Sequence, residues 1–190
     1  MDNIIAKLYA SQKTVVTTED LAMLWEENKP NNLKAKVAYY VKQGLLIRLT
    51  RGIFAKNKSF NSYELATSVY TPAYISFETV LRDSGMIFQH YDTIFVASHL
   101  SKTAHIAEIT LTFRKLKAEV LYNPTGVVNK NGFSIASPER AFLDTLYLFP
   151  RFGFDNLAQL DWNVCSELVK IYKNAQLVKR LASYQKKYAQ

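Results

Sequence analysis

Glu139 and Asp144, in the stretch SPERAFLDTL, are the acidic pair that comes nearest to a hydrolytic or metal-binding arrangement. Two carboxylates that share a divalent cation must point the same way, and on a helix a spacing of five turns them about 140° apart. Glu139 instead suits the helix start, where its charge meets the positive end of the backbone dipole. Arg140 and Asp144, four apart, are expected to pair along the helix surface. The ExK spacing that nucleases favour occurs at Glu27-Asn28-Lys29, directly before Pro30. His90, His99 and His105 fall in a β-rich region without a carboxylate or cysteine at metal-ligand spacing, and neither HExxH nor CxxC occurs. No phosphate-binding glycine loop and no serine nucleophile elbow is present. The single Cys165 cannot form an internal disulfide or a multi-cysteine zinc site, and reads as a small apolar packing residue. The expectation is a non-enzyme with no metal and no cofactor. A metal-dependent nuclease is the least favoured alternative.

A different chemistry is suggested by the cations. The net charge of +8 is uneven: +5 over residues 1–60, −2 over 61–165 and +5 over 166–190. Basicity concentrated at the ends, with a pI near 9.4, suits a polyanion such as nucleic acid. No apolar run approaches the roughly 18 residues a membrane span needs, and the start lacks a signal peptide's basic leader and apolar segment. A cytosolic location is expected, without membrane contact.

The elements that must position these cations follow from local signals. Asn3 to Ala10 reads as a short amphipathic helix. TTEDLAMLWEEN opens a second, with Thr17 as cap and Asp20 reaching back to it. Pro30 ends that helix and Asn31 opens a third, NNLKAKVAYYVKQG, closed by Gly44 as a left-handed cap. On a helical wheel Leu33, Val37, Tyr40 and Val41 form the core face. Asn31, Ala35, Ala38, Tyr39 and Lys42 lie opposite, with Lys34 and Lys36 on the shoulders. Small residues, amides and lysines together are what a helix entering the DNA major groove presents. Next comes a hairpin, Leu46 to Leu49 and Ile53 to Ala55, with Gly52 supplying the permissive turn backbone. Its alternation puts Leu46, Leu49 and Phe54 inward and Arg48, Arg51, Lys56 and Lys58 outward, suited to phosphates or to the minor groove. Three short helices followed by a basic hairpin is the order of a winged helix-turn-helix.

Past Asn61 the texture changes. NSYELATSVY reads as a connecting helix with an Asn61/Glu64 capping box, and YISFETVLRDSGMI as a strand leading to a helix capped by Ser76. TIFVAS, AEITLTFRKL, AEVLYN and GFSIAS read as strands of a mostly antiparallel sheet. Ser137 and Pro138 open a further helix, and residues 155–190 read as helices with Leu177, Leu181 and Tyr184 as a stripe among lysines. The fold class expected is α+β: a winged helix-turn-helix over 1–60, then a mixed α/β domain over 61–190 with C-terminal helices. The basic C-terminal stretch reads as a solvated face or as a second contact to DNA or an acidic protein.

The pieces LKAKVAYYVKQGLLIRLTRGIFAK, YISFETVLRDSGMI and SIASPERAFLDTLYL resemble the AbiEi-type antitoxins of type IV toxin–antitoxin (abortive-infection) systems, over roughly Leu8 to Leu148. Phe142 stands where the family pattern has a smaller aliphatic residue. The resemblance implies a bacterial two-domain protein. Its winged N-terminus binds promoter repeats in double-stranded DNA and represses its own operon, and its C-terminal domain counteracts a nucleotidyltransferase-like toxin. By position the DNA-reading helix corresponds to Asn31–Gln43 and the wing to Leu46–Ala55. The groove residues expected are Asn31, Asn32, Lys34, Ala35 and Tyr39, and the phosphate or minor-groove contacts are Lys36, Lys42, Arg48, Arg51 and Lys56. Binding as a homodimer or cooperative pair is expected from the small footprint of one such unit. The alternative is a winged module that docks on protein and leaves DNA alone.

Overall fold

The computed structural model describes residues 2–188. The chain opens with α1 (Asp2–Ala10), β1 (Val15–Thr17), α2 (Thr18–Leu24), α3 (Pro30–Lys42), β2 (Ile47–Thr50) and β3 (Ile53–Ala55). The predicted capping box starts α2: Thr17 Oγ1 accepts from the Asp20 amide at 3.1 Å, and Asp20 Oδ2 accepts from the Thr17 amide at 2.8 Å. Pro30 does not end α2. That helix stops at Leu24, and Pro30 is the first residue of α3, where its missing N–H leaves nothing unpaired. Gly44 follows α3 with φ +73°, the left-handed conformation that its lack of Cβ permits.

The three strands form an antiparallel sheet in the order β1-β3-β2, with Arg48 opposite Phe54 and Val16 opposite Phe54 across the other edge. Because side chains alternate, this small sheet is packed on both faces. Val16 and Phe54 join Leu8, Leu21, Trp25, Leu33, Val37, Tyr40 and Leu46 in a first core. Val15 and Ile53 point the other way, into the main core of the molecule, and Leu49 packs there too. Leu46 and Phe54 are inward as expected, whereas Leu49 serves the opposite core, beyond a bulge between Arg48 and Thr50.

The remainder comprises α4 (Ser62–Ser68), β4 (Tyr74–Ile75), α5 (Phe77–Asp83), β5 (Thr93–Ser98), β6 (Lys102–Ile106), β7 (Ile109–Lys115), α6 (Ala118–Leu121), β8 (Val127–Lys130), β9 (Phe133–Ala136), α7 (Pro138–Leu148), α8 (Trp162–Leu168), a 3₁₀ turn (Val169–Tyr172) and α9 (Ala175–Tyr188). Its six-stranded sheet runs β6-β7-β5-β4-β9-β8. The sheet is mixed but mostly antiparallel, as expected: β6 with β7, β5 with β4 and β9 with β8 pair antiparallel, while β5 pairs parallel with β7 and β4 parallel with β9. AEVLYN is not a strand. Its first four residues make α6, which buries Val120 and Leu121. Ser137 caps α7 by accepting from the Arg140 amide at 3.2 Å, with Pro138 next, as the sequence predicts. Leu177 and Leu181 of α9 are buried and Tyr184 half-buried. The chain is thus a mixed α/β protein.

Candidate nucleic-acid interface

Helix α3 divides as its periodicity requires. Leu33, Val37 and Tyr40 are buried, while Asn31, Asn32, Lys34, Ala35, Ala38, Tyr39 and Lys42 are exposed. The Ala35 side is open and not sealed against the second half of the chain. Tyr39, 50% exposed, stands edge-on to Tyr40 at 5.3 Å between ring centres, which orients its ring without burying it. Lys36 is less available, because its ammonium binds Glu27 at 2.7 Å.

The β2–β3 hairpin is tied to this helical unit at both ends. The Leu45 and Leu46 amides donate to the Tyr40 carbonyl at 3.0 and 3.3 Å, and the Thr18 amide at the start of α2 donates to the Gly52 carbonyl at 2.8 Å. Gly52 adopts φ +78° in the turn, which leaves Arg51 exposed at the tip. Arg48 is exposed as well. Its guanidinium lies 5.5 Å from the centre of the Phe54 ring, a cation–π contact that holds its stem against the helical unit. Lys34, Lys42, Arg48 and Arg51 form no ion pair among the described residues, so their charge is available to an outside anion.

Lys56 does not belong with them. It is 7% exposed, and its ammonium donates to the Ser11 carbonyl at 2.6 Å. Burial pulls its pKa below the ordinary lysine value, and the nearby Glu64 carboxylate partly offsets this. The reason is positional: β3 is the central strand of a sheet covered on both faces, so a residue following it has no solvent side to reach. The capping box predicted for Asn61 and Glu64 forms only in part. Asn61 does cap α4, but the Glu64 carboxylate is buried and accepts from the backbone of β1 instead.

The acidic candidates are sealed into the core. Asp144 and Arg140 pair at 3.3 Å with both side chains 0% exposed, not on the helix surface. Asp144 Oδ1 accepts from Tyr172 at 2.6 Å, and Oδ2 accepts from Tyr74 at 3.0 Å and Ser76 at 2.8 Å. Ser76 is thereby occupied with Asp144 and does not cap α5 with its side chain. Arg140 donates to the Thr125 and Val120 carbonyls at 2.7 Å each and to the Tyr74 hydroxyl at 3.1 Å. Burial pushes the Asp144 carboxyl up, while Arg140 and the three hydroxyls pull it back. Every polar atom of the pair faces a protein partner, so the arrangement fixes the packing of α7 on β4 and the 3₁₀ turn. Glu139 lies apart, half-buried, facing the Asp161 amide at 3.5 Å.

His90, His99 and His105 are all exposed, and no group of three or more His, Cys, Asp or Glu side chains gathers among the described residues. Cys165 is buried, and burial pushes its thiol up to about 12, with Glu139 and Asp161 adding to the shift. Sequence reasoning does not find the Glu78–Arg114 pair, in which Arg114 donates to Glu78 Oε1 at 2.8 Å and stacks against Phe77, Phe95 and Phe149. Its residues come from four separated segments and carry no shared local signal.

No protein-family model and no curated protein sequence matches the chain. Among solved structures, the chain is similar to that of the RV2827C protein from Mycobacterium tuberculosis, with a TM-score of 0.46 and 13% identity, covering 95% of this chain and 80% of that one. No helix of the described residues is long and apolar enough to cross a membrane.

Proposed function

We propose that the chain is a sequence-specific, double-stranded-DNA-binding repressor with an N-terminal winged helix, acting in the cytoplasm as the AbiEi-like antitoxin of a type IV toxin–antitoxin system. The observation that carries the DNA-binding reading is the open face of α3. It presents Asn31, Asn32, Lys34, Ala35, Tyr39 and Lys42 on an element tied by hydrogen bonds to a hairpin that exposes Arg48 and Arg51. Small residues let the helix backbone approach base edges, amides and the tyrosine can read them, and unpaired cations hold phosphates. The order helix, strand, two helices, hairpin agrees with a winged helix-turn-helix. The antitoxin part of the reading rests on the sequence resemblance. Since Arg140 and Asp144 of the SPERAFLDTL piece are buried, contact with a nucleotidyltransferase-like toxin falls to other surfaces of the second half.

The test is a titration of the full chain against duplex DNA from its own promoter and against a random duplex, each at several salt concentrations. A DNA reader binds both at low salt, prefers the promoter, and loses affinity linearly in log–log against salt. Lys34→Ala with Arg51→Ala is expected to weaken promoter binding by about 1–3 kcal/mol for each side chain removed. Failure to bind either duplex at low salt would leave the winged unit as a protein-docking module. Co-expression with the product of a neighbouring nucleotidyltransferase gene, scored by growth, tests the antitoxin half separately.

A further inference from the structure

A helix in the major groove reads bases with the side chains of its outer face, so the composition of that face sets which base pairs it favours. On α3 that face carries Asn31 and Asn32 in the first turn, directly after Pro30, then Ala35, Ala38 and Tyr39, all exposed. At 1.5 Å per residue, Asn31 to Ala38 spans about 10 Å, or about three base-pair steps. No arginine and no carboxylate occurs on α3. Its lysines stand aside from the middle of the face. Lys34 lies about 100° round the helix from Ala35, Lys36 is held by Glu27 at 2.7 Å, and Lys42 is about three turns beyond Asn31.

This inventory is one-sided. An asparagine amide pairs with both N6 and N7 of adenine, and alanine methyls or an aromatic ring pack on the 5-methyl group of thymine. The groups that select G·C are a cation on guanine O6 and N7 or a carboxylate on the cytosine amino group, and the middle of this face has neither. The hairpin adds a second bias. Arg51 is exposed at its tip, and the tip is fixed, because the Thr18 amide and hydroxyl both donate to the Gly52 carbonyl, at 2.8 and 3.3 Å. An arginine held at such a tip gains most where the minor groove is narrow and its potential most negative, as over an A-tract.

We propose that the DNA this chain selects is A·T-rich. Asn31 and Asn32 face adenines in the major groove, Ala35, Ala38 and Tyr39 face thymine methyl groups, and Arg51 enters the narrow minor groove of an adjoining A-tract. The inference rests on the DNA-binding reading and names the base pairs that the same surface reads.

A randomised duplex library, retained on the full chain at physiological salt and sequenced, identifies the preferred site. Fluorescence anisotropy then compares that site with two analogues. Inosine·cytosine in place of A·T keeps the minor groove of A·T but presents the major groove of G·C, and diaminopurine·thymine does the reverse. The retained sequences are expected to share an uninterrupted run of at least about four A·T pairs. Inosine·cytosine is expected to weaken binding about tenfold, and by less than about twofold in the Asn31→Ala, Asn32→Ala double variant. Diaminopurine·thymine is expected to weaken binding about fivefold, and to lose that effect in Arg51→Ala. All three substituted side chains are exposed, and unchanged thermal unfolding checks that the variants fold. Retained sequences without an A·T excess, or either analogue bound as tightly as A·T, overturn the inference and leave the DNA-binding reading standing. Retention of no duplex even at low salt removes that reading, and the inference with it.

Discussion

The carboxylate of Glu64 accepts a hydrogen bond from the backbone amide of Val15 at 2.8 Å, and the same oxygen accepts from Thr14 at 2.6 Å. A buried side chain of α4 therefore completes the outer edge of β1, the strand that opens the small sheet. The Asn61 amide adds a second link, donating to Thr14 Oγ1 at 2.8 Å. Glu64→Ala leaves the buried Val15 amide and the part-buried Thr14 amide without their acceptor and is expected to destabilise the protein by about 2–3 kcal/mol in urea unfolding. Glu64→Gln keeps an acceptor oxygen and is expected to lose about half as much. Amide exchange at Thr14 and Val15 should accelerate in both variants before exchange rises in the six-stranded sheet.

Arg140 and Asp144 make the second structural prediction. Asp144→Asn leaves the buried guanidinium without its counter-charge, and removing one member of such a pair costs about 3–5 kcal/mol. Arg140→Met combined with Asp144→Leu removes both charges and is expected to recover at least half of that loss, because desolvation of the pair disappears with it. Unfolding midpoints of the single and double variants, measured side by side, decide this. If the double variant is less stable than Asp144→Asn, the hydroxyls of Tyr74, Ser76 and Tyr172 matter more than the charge.

Elements whose signals are local are legible in the sequence. Thr17 with Asp20, Ser137 with Pro138, and the glycines at 44 and 52 each act within a few residues, and each works in the fold as its chemistry requires. Strand β6 carries no such signal, because its hairpin turns at Ala107 and Glu108, two non-glycine residues with φ +49° and +65°, so the usual turn residues are absent. Alternation puts Lys56 outward only where a strand has a wet face, and β3 has none. The Glu64 and Asp144 partners lie tens of residues away, where no spacing rule reaches. The i,i+4 pairing of Arg140 and Asp144 is visible in the spacing, but their burial is not. On α3, by contrast, burial follows directly from the 3.6-residue period, which is why the candidate interface is the most legible part of the site.

Asp20 gives the chain a pH dependence of known sign. Burial alone would push its carboxyl up, but hydrogen bonds from Lys13 and from the Thr17 backbone outweigh it and hold the pKa below the usual 3.8. The unfolded state therefore binds this proton more readily than the folded state. The resulting stabilisation is present above about pH 4 and is lost as pH falls from there through the depressed value. Asp20→Asn is expected to be less stable than the unaltered protein at pH 7. The gap should narrow steadily in thermal unfolding as pH falls below about 4. A gap that stays constant over that range rules out Asp20 ionisation as its source.

The cations near the proposed DNA surface divide by what already holds them. Lys36 is neutralised by Glu27 at 2.7 Å, so Lys36→Ala is expected to change DNA affinity little. Glu27→Gln does the opposite of a charge deletion. It frees the Lys36 ammonium beside the α3 face, and is expected to raise low-salt affinity several-fold and to steepen the slope of log K against log salt by about 0.9 for one more phosphate neutralised. Lys56 holds the Ser11 carbonyl from inside the protein, so Lys56→Ala should lower the unfolding midpoint and leave the salt slope unchanged. Lys34→Ala, at an exposed and unpaired lysine, should flatten the slope by about 0.9 with the unfolding midpoint intact. Fluorescence anisotropy with one duplex over a salt series, run beside thermal unfolding of the same four variants, separates the two behaviours. Were Lys56→Ala to flatten the slope while Lys34→Ala did not, the anion-binding surface would lie on the far side of the small sheet, and α3 would have no claim to the groove.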